Sequence, residues 1–238
     1  MSGQPLPRTR ALGIARAYLP ANPWGNRWDY YYVRAKLGSD PLYPGVLRAL
    51  RGSTAPVLDL GCGLGLLAHA LRQDGQAMAY LGVDNDAAKI RRAGLAADRM
   101  RLADARFEYV DLARGLPAHA GSVAILDVLQ YLPAAAQREL LLNAVAMLSP
   151  GARLVIRSGM VDGSWRGRVS RIGDRVANLV GWMQSAPRCH PDAGVLRATL
   201  EGAGLQVAFE PLYGRTPFNN WLVVASHSQA GIPPRDAG

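Results

Sequence analysis

The sequence predicts an α/β fold with a mainly parallel sheet covered by helices on both faces. Three observations predict it. Short apolar runs alternate with amphipathic stretches along most of the chain. The run APVLDLG, short, apolar and ending in glycine, reads as a buried strand. Glycines and prolines fall at the joints between the two patterns.

Residues 1–40, centred on NPWGNRWDYYYVRAKLGSDP, read as an irregular, basic and aromatic segment. Asp40-Pro41 then starts a helix, since proline is tolerated in a first turn, and LYPGVLRAL continues it toward Arg51. APVLDLG is the first strand, and LLAHALRQDG a helix stopped by Gly75. AMAYLGVD is the second strand and NDAAKIRRAGLAADR the next helix. ARFEYVDL and SVAILDVL are strands three and four, AAAQRELLLNAVAML is an amphipathic helix ending before SPG, and ARLVIRS is strand five. After an intervening segment, PDAGVLRATLEGAG is a helix, LQVAFEPLY the sixth strand and NNWLVVASH the seventh.

The 238 residues are 49% hydrophobic, enough for a substantial core and against global disorder. The formal charge is +9, and only Lys36 and Lys89 are lysines; the other basic residues are arginines. That balance permits nucleic acid, anionic lipid or an acidic carrier protein as partners and selects none. Cys62 and Cys189 make no disulfide framework, which fits a reduced, cytoplasmic setting. The N-terminus lacks the continuous apolar core of a signal peptide, and no apolar run is long enough to span a bilayer. No His/Cys/acid cluster has metal-ligand spacing.

Ligands of an open parallel sheet bind beyond the carboxyl ends of its strands. Gly61, Gly63 and Gly65 stand just beyond the first strand, and Asp84 ends the second, where a carboxylate can accept both hydroxyls of a ribose. A nicotinamide site fits less well. Leu66 and Leu67 follow Gly65 where a third small residue is needed, and Ala68 comes too late. Asp59, two residues before the turn, would repel a pyrophosphate but suits a cationic amino group. The competing reading makes the glycines plain turn residues and Asp84 a helix cap.

With these residues the chain resembles class I S-adenosylmethionine-dependent methyltransferases. LDLGCGLG is similar to their first motif, GVDND to their ribose-binding acid, and FEYVDLARGLP to the third-strand segment that meets the adenine. LDVLQYL resembles the fourth-strand motif and LSPGARLVIR the approach to the fifth strand. The resemblance runs from Val57 to Ser226. Two positions depart from the pattern: Ser122 where many members carry an acid, and Ala152 in place of a second glycine.

The resemblance implies a Rossmann-like sheet of seven strands with the last antiparallel, and a helical insertion after strand five. The chain reads as an aromatic and basic cap segment with the first helix over 1–51, a domain over 52–228 similar to those methyltransferases with a helical lid insertion at 158–191, and a disordered tail at 229–238. The resemblance implies that Asp59 orients the methionine amino group of S-adenosyl-L-methionine, and that Gly61, Cys62, Gly63 and Gly65 form the turn beneath the methionine and ribose. Asp84 would hold the ribose, Asn85 border the adenine, Asp111 receive the adenine amino group and Leu112 offer its backbone. Leu126 or Asp127 would close the site below the sulfonium. For Asp111, a cap or turn role is an equal alternative.

Methyl transfer needs positioning and exclusion of water, plus a base where a hydroxyl must lose its proton. His190, Asp127 and Tyr131 are the candidates; His69, His119 and His227 read as structural. The Asn/Asp-Pro-Pro-aromatic run of adenine-amino methyltransferases is absent from DVLQYL. In the insertion, Trp165, Val169, Ile172, Val176, Val180 and Met183 recur at helical spacing, with Arg168, Arg171 and Arg175 off the stripe. That pattern describes either a packed helix or a mobile lid whose arginines meet an anionic lipid surface or an acidic carrier. Trp24, Trp28, Tyr30, Tyr31 and Tyr32 are either the opposite wall of an acceptor site or plain core. The expected acceptor is an apolar or aromatic small molecule, methylated at oxygen. An RNA or protein methyltransferase and a non-catalytic cofactor-binding relative are the alternatives.

Overall fold

The computed structural model describes residues 3–160, 189–214 and 219–228. Its sheet has seven strands: β1 (Val57–Leu60), β2 (Tyr80–Asp84), β3 (Ala105–Tyr109), β4 (Ser122–Leu126), β5 (Leu154–Gly159), β6 (Leu205–Pro211) and β7 (Asn220–His227). Their order is β3-β2-β1-β4-β5-β7-β6. Pairings among β1–β5 are parallel, and β7 runs antiparallel to both β5 and β6. This is the Rossmann-like architecture with a reversed last strand. The strand order turns around at β1 and β4, which opens a crevice at their carboxyl ends.

Helices α3 (Leu42–Leu50), α4 (Leu66–Gln73), α5 (Ala87–Met100), α6 (Ala134–Ala146) and α7 (Ala193–Gly202) form where their apolar spacing places them. The strands' period-two alternation divides the core between two faces. Leu58, Leu60, Val123, Ile125, Leu154 and Ile156 pack with α6 and α7. Val57, Ala124 and Val155 pack with α3 and α4. By the same alternation, Asp59 and Arg157 lie on the α3/α4 face, and each is a charged side chain within an apolar layer.

The largest departure from the sequence-based expectation lies in residues 1–40. The segment is not irregular: it forms α1 (Arg8–Arg16) and α2 (Trp28–Ser39). Ala11, Ile14 and Ala15 on α1, and Val33 and Leu37 on α2, repeat every three or four positions and are buried. The aromatic and basic residues around them obscure that narrow stripe. Leu6, Ile14, Val33 and Leu37 share a core cluster with Val57, Leu67 and Val155, so the N-terminal helices complete the sheet's own core.

Ser158 and Gly159 belong to β5, so the strand extends into the range 158–191 expected as a lid. The expected insertion helix, with its tryptophan and arginines, and the expected disordered tail lie outside the described residues.

Candidate active site

β1 delivers the chain into its glycine turn at the crevice. The N–H groups of Gly61 and Cys62 both donate to the Val83 carbonyl, at 2.8 and 2.9 Å, which pins the turn to the end of β2. Gly61, Gly63 and Gly65 all have positive φ, between +57° and +78°, a region that L side chains rarely adopt. A Cβ at Gly61 would collide with Val128, and one at Gly65 with the Phe107 ring. At Gly63 it would meet nothing within 4 Å. The outer two glycines therefore answer to close packing, whereas Gly63 borders open space into which a ligand can be laid.

Asp84 is buried at the end of β2 and tied to the turn. Its Oδ2 accepts from the Gly63 N–H at 2.9 Å, and its Oδ1 from the Asp86 N–H at 2.9 Å. A carboxylate has about four lone-pair positions, so two remain for a pair of hydroxyls. Asp86, rather than Asp84, caps α5, accepting from the N–H groups of Ala88 and Lys89. The competing helix-cap reading of Asp84 is thereby excluded. Asn85 is exposed between the two acids.

Asp59 is 2% exposed. Its Oδ2 accepts the Tyr80 hydroxyl at 2.6 Å, while its buried Oδ1 has no hydrogen-bond partner. Burial pushes its pKa up to about 7, against the pull of the Tyr80 bond and aided by the nearby charge of Asp84. A buried carboxylate oxygen without a donor, beside an open glycine turn, fits an incoming ammonium group. Burial also raises the Cys62 thiol well above its ordinary range, so Cys62 is no thiolate nucleophile.

At the end of β3, Asp111 behaves as a turn residue. Its Oδ1 accepts from the Ala113 N–H at 3.0 Å, and Arg114 lies 3.6 Å from its other oxygen. Leu112 is half-buried next to it. The Val110 N–H donates to the Asp84 carbonyl at 3.1 Å, so this segment adjoins Asp84 while Asp111 itself keeps its local bonds.

Asp127 follows β4 with φ +60°, and Leu126 ends the strand half-buried. The carboxylate of Asp127 is engaged by the Arg157 guanidinium and, at 3.4 Å, by Lys36 Nζ. Arg157 also bonds both oxygens of Asp40, at 3.1 and 3.0 Å, and Lys36 reaches Asp40 at 2.6 Å. Burial works against charge at Asp40, Lys36 and Arg157, but the opposite charges overcome it. Asp40 is held below the usual carboxylate range, and Lys36 and Arg157 above their ordinary values. Asp127, a candidate base in the sequence reading, stands in a four-charge cluster with Arg157, Lys36 and Asp40.

Gln137 on α6 makes a second clamp. Its Nε2 donates to the carbonyls of Leu129, Leu132 and Cys189, at 3.0, 3.0 and 2.8 Å. The Cys189 N–H returns a bond to the Gln130 carbonyl at 3.1 Å. The clamp brings the short 3-10 turn Leu129–Tyr131, and so Tyr131, to the same edge as residues 189–190. His190 lies against the end of β5: a Cβ on Gly159 would stand 3.3 Å from its Nδ1. By contrast, His69 is buried under Tyr18, and burial pushes its pKa down to about 4, so it is a neutral core residue. Among the described residues there is no cluster of three or more candidate metal ligands.

Sequence reasoning missed Lys36, Asp40, Tyr80, Gln137 and Arg157. One signal for Arg157 was present: a charged residue inside the apolar strand ARLVIRS demands a buried partner. Nothing local names that partner. The expected aromatic wall also splits. Tyr30 and Tyr32 pack against the core, whereas Trp24, Trp28 and Tyr31 are exposed.

Residues 57–151 match the family model of the methyltransferase domain. Residues 57–151 are thus similar to a methyltransferase domain, carried on the Rossmann-like sheet described above. Among solved structures it is similar to magnesium protoporphyrin IX methyltransferase from Synechocystis PCC 6803 with bound SAH. Identity there is 20%, with 93% of each chain covered and a TM-score of 0.64. It is also similar to an O-methyltransferase family protein from Burkholderia thailandensis, at 20% identity over 85% of this chain and 60% of that one, TM-score 0.61. The (4+2)-cyclase SpnF matches at 15% identity over 95% of this chain and 99% of that one, TM-score 0.61. At these identities the likeness is one of fold. None of the curated proteins matches the chain in sequence.

Proposed function

We propose that the protein methylates an oxygen of an apolar or aromatic small molecule, of lipid, quinone, pigment or polyketide-like character, free or carried on a protein. The observation that carries this reading is the covering of the acceptor end. Lys36 and Asp40, from α2 and its junction with α3, are bonded to Arg157 and Asp127 at the carboxyl ends of β5 and β4. An acceptor reaching the donor's methyl group from that side enters beneath two helices, which suits a compact molecule better than a nucleic-acid strand.

In this reading Asp59 meets the donor's ammonium group, the turn at Gly61–Gly65 underlies its methionine and ribose, and Asp84 accepts the ribose hydroxyls. Asn85 and Leu112 flank the adenine, and the backbone at Leu126–Asp127 closes the sulfonium side. The donor supplies an already activated methyl carbon, so the chain's work is orientation and exclusion of water. A hydroxyl proton, where one must leave, goes in this reading to His190, Tyr131 or Asp127, of which Asp127 is already paired with Arg157 and Lys36. No helix of the described residues is long and apolar enough to cross a membrane.

Incubating the protein with isotopically labelled donor and fractionated cell extract tests the reading. A labelled, organic-extractable product, lost in Asp84→Ala, is the expected result. Label appearing in RNA or protein, with steeply salt-dependent polynucleotide binding, would replace this reading by the macromolecular one. Donor binding without any labelled product would favour a non-catalytic role.

A further inference from the structure

The outer side of α2 and the turn before it leave large aromatic groups in water. Trp24 is 94% exposed and Tyr31 54%, with Trp28 similarly half-exposed. Helical spacing puts Arg27, Tyr31 and Arg34 on one stripe, with Trp28 beside Tyr31, and both arginines are exposed. The turn that presents Trp24 is fixed. Asn22 Oδ1 accepts from the Trp24 N–H at 3.0 Å, and the Arg27 guanidinium donates to the Pro23 carbonyl at 3.1 Å. Residues 1–39 contain six basic residues, Arg8, Arg10, Arg16, Arg27, Arg34 and Lys36, and one acid, Asp29, which Arg92 engages at 2.7 Å.

Tryptophan and tyrosine have an apolar body and a polar tip, and they settle where hydrocarbon meets the headgroups of a bilayer. Arginine pairs with phosphate oxygens, and each basic residue near an anionic leaflet adds to binding. We propose that the outer face of α2 and its preceding turn, with Trp24, Trp28 and Tyr31 set among Arg27 and Arg34, dock on an anionic phospholipid surface. A nucleic-acid strand fits this face less well, because stacking successive bases calls for rings lining a groove that follows the backbone. Here the rings stand on the outside of one helix and its turn. Lys36, on the inward side of the same helix, reaches Asp127, so docking sets the acceptor end of the sheet beside the bilayer. A membrane-dissolved acceptor is then delivered where the methyl group is transferred; the docking itself does not depend on that acceptor being correct.

Flotation of the full chain with vesicles of equal parts phosphatidylglycerol and phosphatidylcholine, against phosphatidylcholine alone, tests the proposal. Binding is expected on the anionic vesicles only, weakened by salt, with tryptophan emission quenched by brominated lipid. Trp24→Ala with Tyr31→Ala, and separately Arg27→Glu with Arg34→Glu, are each expected to lower partitioning roughly tenfold or more. Val195→Ala removes a 62% exposed apolar side chain on α7 and should change nothing. Calorimetric binding of donor, unaltered in every variant, reports an intact fold. Absence of vesicle binding, or binding that both double variants retain, overturns the proposal. So does failure to bind vesicles together with RNA binding, or a dimer, that the same variants abolish.

Discussion

In the proposed reading, Asp59 serves fold and function with different atoms. Oδ2 is fixed by Tyr80, two strands' worth of packing hold both residues, and Oδ1 is left for a ligand. Its pKa of about 7 lies above the ordinary 3.8, so the donor-free protein keeps the proton below neutrality. Folding without donor is therefore favoured in acid, and that contribution is lost as pH rises from about 4 to 7. An ammonium group binds the ionised form. Donor affinity is accordingly expected to rise with pH up to about 7 and then level off, with a proton released on binding below that point. Calorimetry in buffers of different ionisation enthalpy reads both effects. Asp59→Asn should flatten the profile and weaken binding roughly 10- to 100-fold, the scale of a lost charge-assisted hydrogen bond. A pH-independent wild type would detach Asp59 from donor binding.

The elements at the acceptor end are joined by charge as well as by apolar contact. Arg157 comes from a central strand, Asp127 from the end of its neighbour, and Lys36 and Asp40 from α2 and its junction with α3. Arg157 is 5% exposed, and removing it leaves Lys36 alone to pair with two carboxylates. Arg157→Leu is expected to cost about 3–5 kcal/mol, the cost of breaking a buried ion pair from one side. For a chain of this size that lowers the midpoint of thermal unfolding by roughly 6–20 °C, readable by circular dichroism. A shift within a degree or two would mean that the cluster is well solvated. The Gln137 clamp works on the same scale, using three carbonyls to fix the turn carrying Tyr131 and the segment carrying His190.

Across the whole molecule, the N-terminal helices are structural partners of the sheet. Ile14, Val33, Leu37 and Leu50 are fully buried in the cluster that includes Val57 and Val155. Arg153 donates to the carbonyls of Ala49 and Arg51, and Arg99 to those of Ala17 and Leu19. Removing residues 1–51 uncovers the part of that face that α4 does not cover. The truncated chain is expected to lose cooperative unfolding or to aggregate, as measured by thermal melts and light scattering. If residues 52–238 fold and bind donor unaided, the cap is a separable accessory.

What the sequence by itself determined is everything set by neighbours along the chain. The seven strands, the glycine turn, Asp59 and Asp84 were all legible, because strand burial, turn chemistry and residue spacing act over a few positions. The turn role open to Asp111 was legible for the same reason. The helices in residues 8–16 and 28–39 were not, because a narrow buried stripe is hidden among exposed aromatics and arginines until the sheet exists to receive it. Only the tertiary structure decided that Asp127 is spent on cations, since Asp40 and Arg157 meet across 117 positions of sequence and Lys36 and Asp127 across 91. It likewise decided which aromatics face the core and which face water. Burial and charge pairing between distant segments are properties of the assembled molecule, and no local pattern encodes the partner.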